Sequence, residues 1–120
     1  MKRIILESPY AGDVLENIKY ARECMKDSLM RGEAPLLSHL LYTQVLDDNI
    51  WHERELGINA GLAWLTAAKK HVFYIDYGYS KGMLAAKELS EEIGIKIEER
   101  KLYLDFKQKN QILPLDLRQN

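Results

Sequence analysis

The sequence predicts an α/β fold in which a parallel sheet of four or five strands carries helices on both faces. Three observations predict it. The continuous apolar run "IIL" near the start and the β-branched and aromatic residues of "HVFYI" further on have the length of buried strands. Stretches whose apolar residues recur at spacings of three and four lie between them, the period of a helix packed along one side. The two kinds of segment alternate, and alternation implies parallel strands joined by right-handed crossovers.

Arg3 to Ser8 reads as the first strand. Asp13 then stands as N-cap of a helix from about Val14 to Met30, with Val14, Ile18, Ala21, Met25 and Leu29 as its buried stripe and Gly32 just past its end. "APLLSHLL" reads as a second strand ending near Ser38 and His39. "YTQVLDDN" is a loop or single turn in which Asp47, Asp48 and Asn49 offer caps for a helix over about Ile50 to Lys69. Its small-residue stripe, Leu56, Ala60, Ala63 and Ala67, would let it lie close to the sheet. "HVFYIDYG" is the clearest strand. Ser80 caps a helix over about Lys81 to Ile93 that Gly94 stops, and Lys96 to Leu104 alternates Ile97 with charged neighbours like an edge strand. The expected domain is 1–104, followed by a polar tail, 105–120, whose Ile112, Leu113, Leu115 and Leu117 would dock on a neighbouring subunit.

A chain of 120 residues suits one hydrophobic core, and 47% apolar with 29% charged residues is an ordinary globular composition. The formal charge of −1 provides no basic footprint for nucleic acid and no polybasic membrane patch. No apolar run approaches the roughly 18 residues of a membrane span, and the apolar stretch of "MKRIILESPY" is too short for a secretory signal. The lone Cys24 has no internal disulfide partner; a free thiol inside a helical pattern fits core packing in a reducing cytoplasm.

Polar residues gather where a parallel sheet places ligands, at the carboxyl ends of the strands. In "SPYAGD", with Ser8, Pro9 and Tyr10, Gly12 permits close backbone approach and the next helix start favours an anion. Asp13 works against an anion there and would rather accept from ribose hydroxyls; strand exit plus cap is the plain alternative. In "DYGYSKGM", running from Asp76 and Tyr77, Gly78 and Gly82 flank Ser80, and the cap hydroxyl, free N–H groups and Lys81 all favour a phosphate or carboxylate. Neither the P-loop spacing nor G-x-G-x-x-G occurs. Gly78 to Gly82 does spell G-x-S-x-G, but no His follows His71 to complete a hydrolase triad.

Around "LDDNIWHERE", Asp47, Asp48 and Glu53 are candidate catalytic carboxylates, or else caps and surface charge. Glu53 and Glu55 point about 200° apart on a helix, so one of them at most faces a site. His39 is a ligand contact or a packed structural His, and no metal-binding spacing accompanies it or His52, so no metal and no cofactor are expected. Tyr10, Tyr42, Tyr77 and Tyr79 fall at rim positions suited to stacking on a nucleobase or to an oligomer interface.

In order along the chain, "SPYAGD" with its following "N…AR", "HLLYTQVLDD", "ERELGINAGL", "SKGM" and "IGIKIE" resemble small bacterial and phage-encoded domains of the nucleoside 2-deoxyribosyltransferase-like superfamily. The match runs to about residue 100 and excludes the tail. The resemblance implies a three-layer Rossmann-like (flavodoxin-like) sheet, a homo-oligomer, and cleavage or exchange of a nucleoside N-glycosidic bond through a helix glutamate that attacks C1′. The sequence departs from that pattern at Ala86, which stands where related domains carry the glutamate; Glu88, the next acid, lies about 200° further round the helix.

The expectation is therefore a binder of a nucleoside- or nucleotide-type small molecule. Its contacts are Ser8, Pro9, Tyr10, Gly12, Asp13, His39, Asp48, Asp76, Tyr77, Gly78, Ser80, Gly82 and Met83. In a phage setting such a protein would sequester a cyclic ADP-ribose-type signal as an anti-defence device. The alternatives are an N-glycosidase or 2-deoxyribosyltransferase using a relocated carboxylate, and a non-catalytic protein-interaction module.

Overall fold

The computed structural model describes residues 1–103. Four strands, β1 (Lys2–Glu7), β2 (Glu33–Leu36), β3 (Lys70–Tyr74) and β4 (Ile97–Arg100), form one sheet in the order β2-β1-β3-β4. Every neighbouring pair is parallel. The crossovers are α1 (Val14–Met30), a short α2 (Ser38–Leu41) with α3 (Trp51–Leu62), and α4 (Lys81–Ile93). The fold is the α/β parallel sheet with helices on both faces that the alternating sequence pattern implies.

Strand residues alternate between two packed faces. Ile4, Leu6, Val72 and Tyr74 pack with Tyr20, Ala21 and Cys24 of α1 on one side. Phe73 packs with Met83 and Ala86 of α4 and with Leu62 of α3 on the other. Cys24 is a buried core residue, and burial pushes its thiol pKa up, so the thiol stays protonated. The central β3 is buried along its whole length, which fits the apolar and aromatic run Val72–Tyr74, while the buried Lys70 and His71 at its start find polar partners.

Several boundaries and faces differ from the sequence expectation. Strand β2 stops at Leu36, because the Leu40 and Leu41 N–H groups fold back onto the Leu37 carbonyl and open α2. Pro35 is tolerated because β2 is an edge strand. The helix expected over Ile50 to Lys69 ends at Leu62 and gives way to a 3-10 turn at Leu65–Ala67. None of the three expected caps serves it: Ile50 holds the cap position, while the Asp47 side chain accepts the Asn49 N–H. Of the Leu56, Ala60, Ala63 and Ala67 stripe, only Ala60 is partly buried. On α1 the buried line is Tyr20, Cys24 and Ser28 with Ala21, whereas Leu29 is half exposed. Polar partners rotate the helix: the Tyr20 hydroxyl donates to Asp76, and Ser28 donates to the buried Glu33 at 2.9 Å. Leu104 and the tail 105–120, with the expected docking residues, lie outside the described residues.

Candidate functional site

The strand order reverses between β1 and β3, since the chain leaves β1 towards β2 on one side and returns to β3 on the other. Such a switch point opens a crevice at the carboxyl ends of the strands. A cavity of about 380 Å³ lies there. Its floor is the end of β1, with Ile5, Glu7 and Ser8, and the following corner adds Tyr10. Asn17 holds that corner in shape by donating to the Tyr10 and Ala11 carbonyls, each at 3.0 Å. One wall is α2 and its continuation, with Ser38, His39, Tyr42 and Thr43. The opposite wall is the first turns of α4, with Ser80, Lys81, Gly82, Met83 and Ala86.

The remaining wall is α3, which turns Glu53, Gly57 and Gly61 inward together with Arg54 and Ile58. Spacing of four puts the two glycines on one line: Gly61 lets α2 approach, and Gly57 faces Tyr42 and Leu46 just beyond it. A Cβ on Gly61 would meet Ser38 Oγ at 2.4 Å. The Trp64 indole N–H donates to the Tyr42 hydroxyl at 3.0 Å and ties the end of α3 to the cavity wall.

Of the residues singled out in the sequence, Ser8, Tyr10, His39, Asp48, Ser80, Gly82 and Met83 share this cavity, as does Glu53. Pro9, Gly12, Asp13, Asp47, Asp76, Tyr77 and Gly78 are outside its lining. Asp76 is turned to the α1 side, where its carboxylate accepts the Tyr20 hydroxyl and the Leu102 and Tyr103 N–H groups at 2.8 and 2.9 Å. Tyr77 stands edge-on to Tyr20 at 4.6 Å and is largely exposed, away from any ligand in the cavity. Asp13 caps α1 by accepting the Glu16 N–H, and Gly12 and Gly78 supply turns with φ of 98° and 76°. Asp47 is exposed, and its N–H donates to Glu53 at 3.0 Å.

The sequence reading missed Glu7. The register sets Ile5 beside His71 and Glu7 beside Phe73, so Glu7 and His71 stand on the same face. The His71 Nε2–H donates to Glu7 Oε2 at 3.0 Å, and the Ser90 hydroxyl lies 2.6 Å from His71 Nδ1. His71 and Ser90 are wholly buried. The available signal was an acid at the last position of a buried strand, where an apolar residue is the ordinary choice.

Charge in the cavity is divided. At the α4 start the Ser80 hydroxyl accepts the Met83 N–H at 3.2 Å, leaving the Lys81 and Gly82 N–H groups without intrahelical partners. With the Lys81 side chain and the helix dipole they favour an anion. Arg54 is a second cation on the lining, 3.7 Å from Asp48. Across the cavity, His39 Nε2 lies 2.7 Å from Ser8 Oγ, and its buried Nδ1 has no hydrogen-bond partner among the described residues. Burial holds the His39 pKa below its usual value, the charge of Glu7 opposing that shift in part. Among the described residues no group of three or more His, Cys, Asp or Glu side chains is placed to hold a metal ion.

Comparison with solved structures finds a likeness to the 2-deoxyribosyltransferase characterised from the psychrotolerant bacterium Bacillus psychrosaccharolyticus. The TM-score is 0.65 at 15% identity, over 81% of this chain and 70% of that one. At that identity the likeness shows a common fold. No curated protein matches the chain. A family does match, over residues 2–100, which takes in every strand, helix and cavity residue described above. The chain therefore belongs to the family described as "Domain of unknown function (DUF7768)".

Proposed function

We propose that residues 1–104 form a nucleoside 2-deoxyribosyltransferase-like domain that binds a nucleoside- or nucleotide-derived small molecule in this cavity and holds it without cleaving it. One observation carries the reading. Hydroxyl, imidazole and helix N–H groups from three strand exits line a single cavity with Ala86. Ala86 is the position that the resemblance assigns to the attacking glutamate, and a methyl group stands there. The volume, about 380 Å³, falls in the ordinary range for small-molecule sites. The cavity can divide a nucleotide by chemistry: the α4 start and Arg54 for phosphate, Ser8 and a carboxylate of the lining for hydroxyls, and Tyr42, Leu46, Ile58 and Leu62 for a base.

Holding a ligand intact suits a cytoplasmic phage protein that sequesters a cyclic ADP-ribose-type signal. The domain works as a dimer or larger homo-oligomer in this reading, supported by the exposed apolar side chains of Trp51, Leu56 and Trp64. Calorimetry with nucleosides, nucleotides and NAD-derived cyclic signals tests the proposal, followed by chromatography of the ligand released on heating. Binding with intact ligand supports it. Free base as product, lost in Asp48→Ala or Glu53→Ala, would instead support an N-glycosidase or 2-deoxyribosyltransferase with a relocated carboxylate, a reading favoured by the acids on the lining. No binding to any of them would leave a protein-interaction module.

A further inference from the structure

Building on the nucleotide-binding reading, we infer that Glu7 recognises the sugar and selects ribosides over 2′-deoxyribosides. Three carboxylates line the cavity. Asp48 faces Arg54, and Glu53 accepts the Asp47 N–H. Glu7 differs from both. Its Oε2 is held by His71, whereas its Oε1 has no hydrogen-bond partner among the described residues.

A carboxylate only accepts hydrogen bonds and offers about four lone-pair sites, of which His71 uses one. The ligand group that complements it is therefore a donor. A phosphate, itself an anion, is repelled, and an adjacent pair of sugar hydroxyls fits the two oxygens. His39 does not relieve that demand, because burial keeps it from gaining charge in the neutral range.

The carboxylate is also fixed before any ligand arrives. His71 is wholly buried and its second ring nitrogen is taken by Ser90, so the support of Glu7 does not turn with solvent. Little rotamer freedom is left to lose on binding, which favours discrimination by a single hydroxyl. A 2′-deoxy sugar removes one donor and leaves a partly desolvated oxygen without a partner.

The test is equilibrium binding of the ribonucleoside 5′-monophosphates and their 2′-deoxy counterparts to the full chain. The ribo form should bind about tenfold tighter or more. Glu7→Gln, which keeps the shape, should bring the two forms within about threefold of each other, and the exposed Glu88→Gln should leave the ratio unchanged. Equal binding or a deoxy preference in the unmodified chain would overturn the inference, as would a Glu7→Gln variant with the full ratio. The ratio in the unmodified chain decides even where the variant fails to fold. If no nucleotide of either kind binds, the nucleotide reading itself falls and this inference falls with it.

Discussion

Arg100 of one edge strand reaches Glu33 of the other through two parallel hydrogen bonds, 2.8 and 2.7 Å, beneath α1. Lys70 adds contacts to Glu33 at 3.2 Å and to Glu98 at 2.6 Å. Arg100→Met takes the bidentate partner from the buried Glu33 and leaves Lys70 and Ser28 to offset its charge in part, so it should cost about 3 kcal/mol by urea unfolding, and Glu33→Leu added to it should recover part of the loss. Hydrogen bonding from Arg100 holds the Glu33 pKa at about 2, below its ordinary 4.5. The folded state thus favours the ionised form: its contribution is complete above about pH 4.5 and is lost as pH falls towards 2. Acid unfolding followed by circular dichroism should show that loss, and Glu33→Gln should flatten it. His39 is the neutral counterpart. Its lowered pKa makes the unfolded chain the better proton acceptor, so stability declines as pH falls through and below 6.5. A ring titration midpoint under 6.5 by NMR is the expected result.

At the scale of elements, close approach decides which face of α3 turns inward. Gly61→Ala would bring a Cβ within 2.6 Å of both Oγ and Cβ of Ser38. It should cost about 1–3 kcal/mol and weaken nucleotide binding together. Gly82→Ala meets nothing nearer than Ser80 Oγ at 4.0 Å, so the helix start accepts that methyl group and the thermal midpoint should hold. Ser80→Ala removes the α4 cap and should cost about 1 kcal/mol with a larger loss of anion affinity. The α4 boundaries were legible because cap and stop are local: Ser80 and a left-handed Gly94 sit where the letters place them. The α3 face was not legible, since small residues occur on both sides of that helix and only α2 determines which side must be smallest.

At the scale of the whole molecule, the apolar surface of α3 and its flanks stays uncovered in a single chain: Trp51 is 74% and Leu56 59% exposed. Exposed aromatic and aliphatic side chains on one helix are the ordinary material of a subunit interface. Under the proposed assembly, sedimentation should report a dimer or larger species for the unmodified chain. Trp51→Glu with Leu56→Glu should shift it to monomer with the fold intact by circular dichroism. Monomer at micromolar concentration in the unmodified chain would refute the assembly.

By itself, the sequence determined the alternation of strands and helices, and with it a parallel sheet whose polar ends share one rim. Apolar runs, caps and glycine stops act over a few residues and are written locally. Only the tertiary structure decided which rim residues meet. Ser8, His39 and Ser80 converge on one cavity, whereas Asp76 and Tyr77, equally placed in the string, turn to the α1 side because Tyr20 holds the Asp76 carboxylate there. Glu7 and His71, 64 positions apart, pair through strand register, which no local pattern encodes.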